Sequence, residues 1–191
     1  MTETTPTDWQ ISAPQTGKKG GKTCLVYDAG RKPITINLSG PLRAPFGSSN
    51  FEDNEIPRQN LDLSLDEDIL ITKLQEIDEI LVRHAIQNRE TLFNGNPTQE
   101  KIRESYRSLL RTREGYKPML RTKVNLDKVR CWDQENEKRN VPEAKFRNAD
   151  LFVKIAIRNL WFVSATWGLT LEATDIKILE DNIECPFQAD F

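Results

Sequence analysis

Apolar and polar side chains alternate in several short runs of this chain, and in one region the apolar spacing lengthens to three and four residues. "TCLVYD" and "KPITINLSG" are β-rich runs around Ala29-Gly30-Arg31, a hairpin signal with glycine in the turn. "GPLRAPFGSSNFEDNEIPRQN" is rich in Pro, Gly, Ser and Asn and reads as a long loop, after which "LDLSL" alternates as a short strand. From Asp66 to Asn88 the period becomes helical. Leu70, Leu74, Ile77, Leu81 and His84 or Ala85 fall on one stripe, Ser64 and Glu67 have the spacing of a capping box, and acids gather at the positive end of the helix. "NPTQEKIRESYRSLLRTR" predicts a second helix, with Asn96 as cap, Pro97 in the first turn, and a stripe of Ile102, Tyr106, Leu109 and Leu110.

Strand patterns resume after Gly115. "YKPMLRTKVNL" places Met119, Arg121 and Lys123 on one face and Leu120, Thr122 and Val124 on the other. "VRCW" ends a strand at Trp132, and "DLFVKIAIRN", "LWFVSATW" and "GLTLEATDIKIL" read as an antiparallel meander. Strands, then helices, then strands again predict a mainly β (β+α) fold: an OB-like antiparallel barrel with a two-helix insertion at about 66–112. The barrel domain spans 22–179. A flexible arm, 1–21, precedes it, and an acidic tail, 180–191, follows.

The 191 residues suffice for one substantial core. No apolar run approaches the ~18 residues of a membrane span, so no membrane association is expected. "MTETTPTDWQISAPQTGKKGGK" lacks the apolar segment of a secretory signal, and the expected location is intracellular. Cys24, Cys131 and Cys185 are widely separated, which suits neither a disulfide framework nor a zinc site.

The net charge of -2 conceals segregation. From Glu52 to Ile80 acids dominate and Arg58 and Lys73 are the only cations; from Lys101 to Arg130 cations dominate and only Glu104, Glu114 and Asp127 oppose them. Such blocks are often solvated faces, but a basic block leading into a strand is also the footprint of a groove that tracks phosphates. "GKKGGKT" imitates a phosphate-binding loop and falls one residue short of its spacing, with no apolar strand before it.

Aromatic placement decides whether such a groove can hold bases. Trp167, Leu169, Leu171 and Ala173 share one strand face, which puts Trp167 in the core. Phe162 goes with Leu160 and Trp161 with Val163, and alternation alone leaves open which of the two faces outward. Trp161, Trp132, Tyr116 and Phe46 are the candidates for exposure. An outward ring stacks a base for ~1–3 kcal/mol whatever the base.

"LRAPFG", "NLDLSLDED", "GYKPMLRTKV" and "LWFVSATWGLTLEATDIKI" occur in an order that resembles the single-stranded DNA-binding proteins of large eukaryotic DNA viruses, which are likened to phage-type OB-fold binders with a long helical insertion. The resemblance covers roughly residues 24–179. It implies single-strand binding in viral replication, recombination or repair, at a nuclear or cytoplasmic replication site of the host. The closing segment departs from the family's pattern: where Lys-Phe-Gly and a further Trp are expected, this chain has Thr166-Trp167-Gly168 and then Leu169-Thr170-Leu171.

The tail "LEDNIECPFQADF" joins acids to a terminal ring, Asp190 and Phe191, a combination that can dock on a partner's apolar pocket and basic rim or compete with DNA for the chain's own groove. Replication or recombination proteins are the expected partners there, and self-association is left open. Catalytic chemistry is sparse. His84, the only histidine, lies on an apolar stripe, and the acids at 66–68 suit a helix N-terminus, so neither enzyme activity nor a metal or other cofactor is expected.

These readings assign Lys117, Arg121, Lys123 and Arg130 to phosphates, with Arg107, Arg111 and Arg113 adding field. Trp132, Trp161 and Tyr116 are the stacking rings. A second reading, a non-enzymatic structural or scaffolding protein of a virion, requires the basic strand and the basic helix to face opposite sides of the fold.

Overall fold

A computed structural model describes residues 9–17, 20–38, 40–50 and 56–179. The acids Glu52, Asp53 and Glu55, Cys185, and the tail with Asp190 and Phe191 lie outside the described residues. The first half of the chain forms strands β1 (Gln10–Ile11), β2 (Gln15–Thr16), β3 (Lys22–Tyr27), β4 (Thr35–Asn37), β5 (Leu42–Ala44), β6 (Ser48–Ser49) and β7 (Arg58–Ser64). Helices α1 (Asp68–Gln87), α2 (Arg89–Leu92) and α3 (Gln99–Ser105) follow. The second half forms β8 (Tyr106–Arg107), β9 (Leu110–Arg111), β10 (Met119–Asn125), β11 (Arg130–Trp132), β12 (Lys138–Arg139), β13 (Ala149–Val163) and β14 (Thr166–Leu179).

Five of these strands close a ring in the order β13-β5-β7-β10-β14, with β14 pairing back onto β13. The fold is therefore mainly β, an OB-like barrel with inserted helices, as the element order predicts. A closed ring with an odd number of strands cannot alternate direction throughout, so one neighbouring pair must run parallel. That pair is β10 and β14, joined only at Lys123 with Glu172 and Val124 with Ala173. β11 also runs parallel to β14, a further departure from the predicted antiparallel barrel.

Strand alternation fills the interior. Leu61 and Leu63 on β7, Leu120 and Val124 on β10, and Trp167, Leu171 and Ala173 on β14 are all buried. Thr122 is buried among them, and its hydroxyl donates to the Leu61 carbonyl at 2.6 Å, so no polar group is stranded there. The runs "DLFVKIAIRN" and "LWFV" form one long strand, β13, rather than two. Its outer edge is covered in turn by β5, β4 and β3, and its inner edge by β14. Ser164, in the left-handed region at φ 53°, starts the tight turn between β13 and β14.

Helix boundaries differ from expectation. α1 begins after Glu67, with no side-chain cap, because Ser64 belongs to β7. Leu74, Ile77, Leu81 and Ala85 of the predicted stripe are buried, Leu70 is half-buried, and Asp78 and Val82 are buried beside them. α3 is capped by Thr98, whose hydroxyl accepts from the Lys101 amide, while Asn96 lies outside it at φ 48°. It stops at Ser105 because the next backbone groups pair with sheet edges: Tyr106 and Arg107 with β14, and Leu110 and Arg111 with β10. From Trp9 to Gly17 the predicted arm also contributes structure, since β1 and β2 pair with β3 and Trp9 packs against the core. Among the described residues no helix is long and apolar enough to cross a membrane.

One turn in this frame depends on glycine. Gly47 has φ +65°, and a Cβ there would lie 2.5 Å from the Lys145 carbonyl and 2.7 Å from the Arg147 amide. The facing loop is fixed by Ser48 N donating to Lys145 O and by buried Phe146, itself at φ 66°. Gly47→Ala is expected to destabilise the protein by ~1–3 kcal/mol, from combined backbone strain and collision, seen as a lower urea midpoint with an unchanged denaturant slope.

Candidate nucleic-acid interface

The parallel seam between β10 and β14 is short, and beyond it the two strands diverge. Residues 106–111 fill the gap as a ribbon: Arg107 pairs with Gly168 on one side, and the Arg121 amide donates to the Leu109 carbonyl on the other. Between this ribbon and the outer face of β7, β10 and β14 lies a cleft of about 510 Å³. Arg58, Arg107, Arg121 and Lys123 line it, together with the Asn60 amide and the Trp161 indole.

Each group reaches the cleft through its strand register. Arg58, Asn60 and Asp62 alternate outward from β7 against buried Gln59, Leu61 and Leu63, and pair across with Asn125, Lys123 and Arg121 of β10. Trp161 lies opposite Gly168. A Cβ on Gly168 would come within 3.0 Å of Trp161 Cζ2 and 3.1 Å of the Arg107 carbonyl, so the bare glycine lets both the indole and the ribbon settle on the sheet. The indole is half-buried, fixed along one side and open along the other.

Phe162 takes the opposite, inward face. It stacks on Trp167 at 5.7 Å and 9°, and Phe93 meets both rings edge-on. Trp167 also donates from Nε1 to the Ile102 carbonyl at 2.8 Å, which ties the helical insertion to the β13–β14 hairpin. The aromatic run thus divides, with Phe162 and Trp167 in the core and Trp161 on the surface of the cleft.

Electrostatics in the cleft are lopsided. Burial lowers the pKa of Lys123 from the ordinary lysine value, the charges of Arg58 and Arg121 lower it further, and Asp62 works in the other direction. The Lys123 ammonium also donates to Asn60 Oδ1. The acids nearby are already engaged: Asp62 pairs with Arg111 at 2.9 Å and Glu172 with Arg158 at 3.2 Å. Arg58, Arg107 and Arg121 form no ion pair among the described residues. The result is a set of mutually repelling cations with vacant donors, a natural receptor for anions.

Sequence-predicted site residues fall into two groups. Arg107, Arg121, Lys123 and Trp161 meet in the cleft. Lys117 pairs with Asp66 at 2.6 Å, Arg111 with Asp62, and Arg130 with Asp175 at 2.7 Å. Arg113 lies over the ring of Tyr116, 5.1 Å from its centroid, and Tyr116 is 68% exposed but outside the cleft lining. Trp132 is half-buried on β11, in register with Lys177 and Lys138 and also outside the lining. Exposed Phe46 sits on the turn after β5. Arg58 and Asn60 are among the lining residues absent from the sequence-predicted set; their signal was the period of β7, whose outward positions they occupy beside Asp62.

His84 is half-buried on α1, and burial lowers its pKa. Cys24 and Cys131 are buried free thiols, and burial pushes Cys131 up to about 11.

No family model matches this chain, and no curated protein does. Among solved structures, gp2.5, a single-stranded DNA-binding protein encoded by bacteriophage T7, is similar over 78% of this chain and 87% of its own, at 14% identity and a TM-score of 0.54. The single-stranded DNA-binding protein from bacteriophage Enc34 aligns over 88% of this chain and 89% of its own, at 9% identity and a TM-score of 0.48. Its complex with ssDNA aligns over 91% and 97%, at 12% identity and a TM-score of 0.48. The likeness to the T7 protein is one of fold.

Proposed function

We propose that this chain binds single-stranded DNA without sequence preference and without catalysing a reaction, in viral DNA replication, recombination or repair. The observation that carries this reading is the juxtaposition of Lys123, Arg58, Arg121 and Arg107 with the half-open indole of Trp161 in one cleft. Phosphates offset the burial and the cation repulsion that lower the Lys123 pKa, while a splayed base stacks on the ring. Duplex DNA keeps its base faces covered and gains only the phosphate contacts. The shared fold with a phage single-stranded DNA-binding protein supports the same reading. A scaffolding role, by contrast, required the basic segments to face apart, and Arg107 and Arg121 line the same cleft.

In this proposal Arg111 screens Asp62 rather than contacting DNA. Arg113, Lys117 and Arg130 extend the field beyond the cleft, and Tyr116 and Trp132 offer further rings for stacking there. The segment ending in Asp190 and Phe191 competes for the cleft or docks on replication proteins, within the replication compartment of an infected cell.

Electrophoretic titration with an oligothymidine tests the proposal: a complex at low salt is expected, with weaker binding to duplex, and its absence at low salt overturns the assignment. Trp161→Ala is expected to cost ~1–3 kcal/mol of binding. Arg121→Gln should weaken binding and flatten the salt dependence by about 0.7 log units per log unit of salt, whereas Arg130→Gln, outside the cleft and paired with Asp175, should flatten it by less.

A bound phosphate favours charged Lys123, so DNA raises its pKa above the depressed value of the free protein. Affinity should therefore fall as pH rises through that depressed value and approaches the ordinary lysine range. Titrations with an oligodeoxyadenylate, whose bases do not ionise in alkali, should show this loss in the wild type and not in Lys123→Arg.

A further inference from the structure

We infer that Asp78 is a positioning residue for DNA binding, holding Arg107 over the cleft from the opposite side of the ribbon; this rests on the single-strand reading above. Asp78 lies on the buried face of α1, only 9% exposed, among Leu74, Ile77, Leu81 and Val82. No cation pairs with it among the described residues. Its carboxylate is instead saturated by donors from a single stretch of chain. The Tyr106 hydroxyl donates to Oδ1 at 2.6 Å, the Ser108 hydroxyl donates to Oδ2, and the Leu109 amide reaches both oxygens at 3.3 and 3.4 Å.

Burial without a counter-ion is costly, and it raises the Asp78 pKa despite these hydrogen bonds. An apolar residue would pack more cheaply against this stripe of α1. What the carboxylate adds is a fixed path for residues 106–109. Tyr106 and Arg107 are extended, so with the Tyr106 hydroxyl reaching back to Asp78 the Arg107 side chain leaves the opposite face, toward the cleft it lines, while Ser108 and Leu109, where the chain bends, border both Asp78 and that cleft. The backbone pairing of Arg107 with Gly168 fixes its height along β14, and Asp78 fixes the rotation of the ribbon about its own axis.

Asp78→Asn keeps the shape but turns one acceptor into a donor. In either orientation the new NH2 lies against the Leu109 N–H, and the hydroxyl facing it must turn from donor to acceptor, so the set of donors that holds the segment is broken. Tyr106→Phe is milder: it removes one donor and keeps the ring, 4.6 Å from Trp167.

The experiment is an oligothymidine titration at several salt concentrations with wild type, Arg107→Gln, Asp78→Asn, the double variant and Tyr106→Phe, with thermal melts on each. Arg107→Gln should weaken binding about 10-fold or more, the scale of one charge-assisted contact, and flatten the salt slope by about 0.7. Asp78→Asn should reproduce both effects, and in the Arg107→Gln background should cost about 2-fold or less. Tyr106→Phe should fall between wild type and Asp78→Asn, and it decides the question if Asp78→Asn does not fold. The inference fails if the Asp78 or Tyr106 variants bind like wild type while Arg107→Gln is weakened. It fails equally if the Asp78 effect adds in full to that of Arg107, or if Arg107→Gln itself binds normally. A wild type that ignores oligothymidine removes the single-strand reading and this inference together, a result distinct from the others.

Discussion

The parallel seam between β10 and β14 is the constraint on which the site depends. Five strands in a closed ring force one such seam, and here it is only two residue pairs long. Its brevity leaves sheet edges with unmet hydrogen-bonding groups, which the ribbon from the helical insertion satisfies on both sides. The insertion is thereby part of the barrel wall. Arg107 belongs to the ribbon and Arg121 to the strand beside it, so the cleft exists because the ring cannot close by antiparallel pairing alone.

Local neutralisation then gives the cleft its sign. Asp62 and Glu172 project from the strands that form it, and each is occupied by an arginine outside its lining, Arg111 and Arg158. Such exposed or half-exposed pairs contribute little stability. Their effect is on the field: they leave the lining cations without carboxylate competitors in a chain whose net charge is -2. Overall charge is a poor guide when acids and bases are sorted by surface.

How far the site was legible follows from the same physics. Period-two alternation placed Arg121 and Lys123 on one face and Trp167 in the core, because those faces are set within one strand. Arg58 and Asn60 obey the same alternation, but they stand beside an acidic run and their partners on β10 are about sixty residues away. Arg107 was expected on a helix, since Tyr106, Leu109 and Leu110 have helical spacing. Asp78 and two sheet edges draw that segment out of helix, a tertiary effect that local propensity does not contain. The ion pairs that occupy Lys117, Arg111 and Arg130 are likewise contacts between distant parts of the chain.

The β13–β14 hairpin carries a further consequence for how the molecule is made. It supplies two of the five ring strands and has the ring pairing most local in sequence, the β5–β7 pair being joined only at Arg43 with Ser64. Every earlier ring strand needs one of its own neighbours from far along the chain, so the entropy of loop closure is recovered only after the last strand emerges. A ribosome-bound chain lacking residues 166–179 cannot close the barrel, and its apolar strands stay uncovered until β14 has emerged. The decisive step of folding consequently waits for β14, and the nascent chain exposes strands that need shielding during that interval.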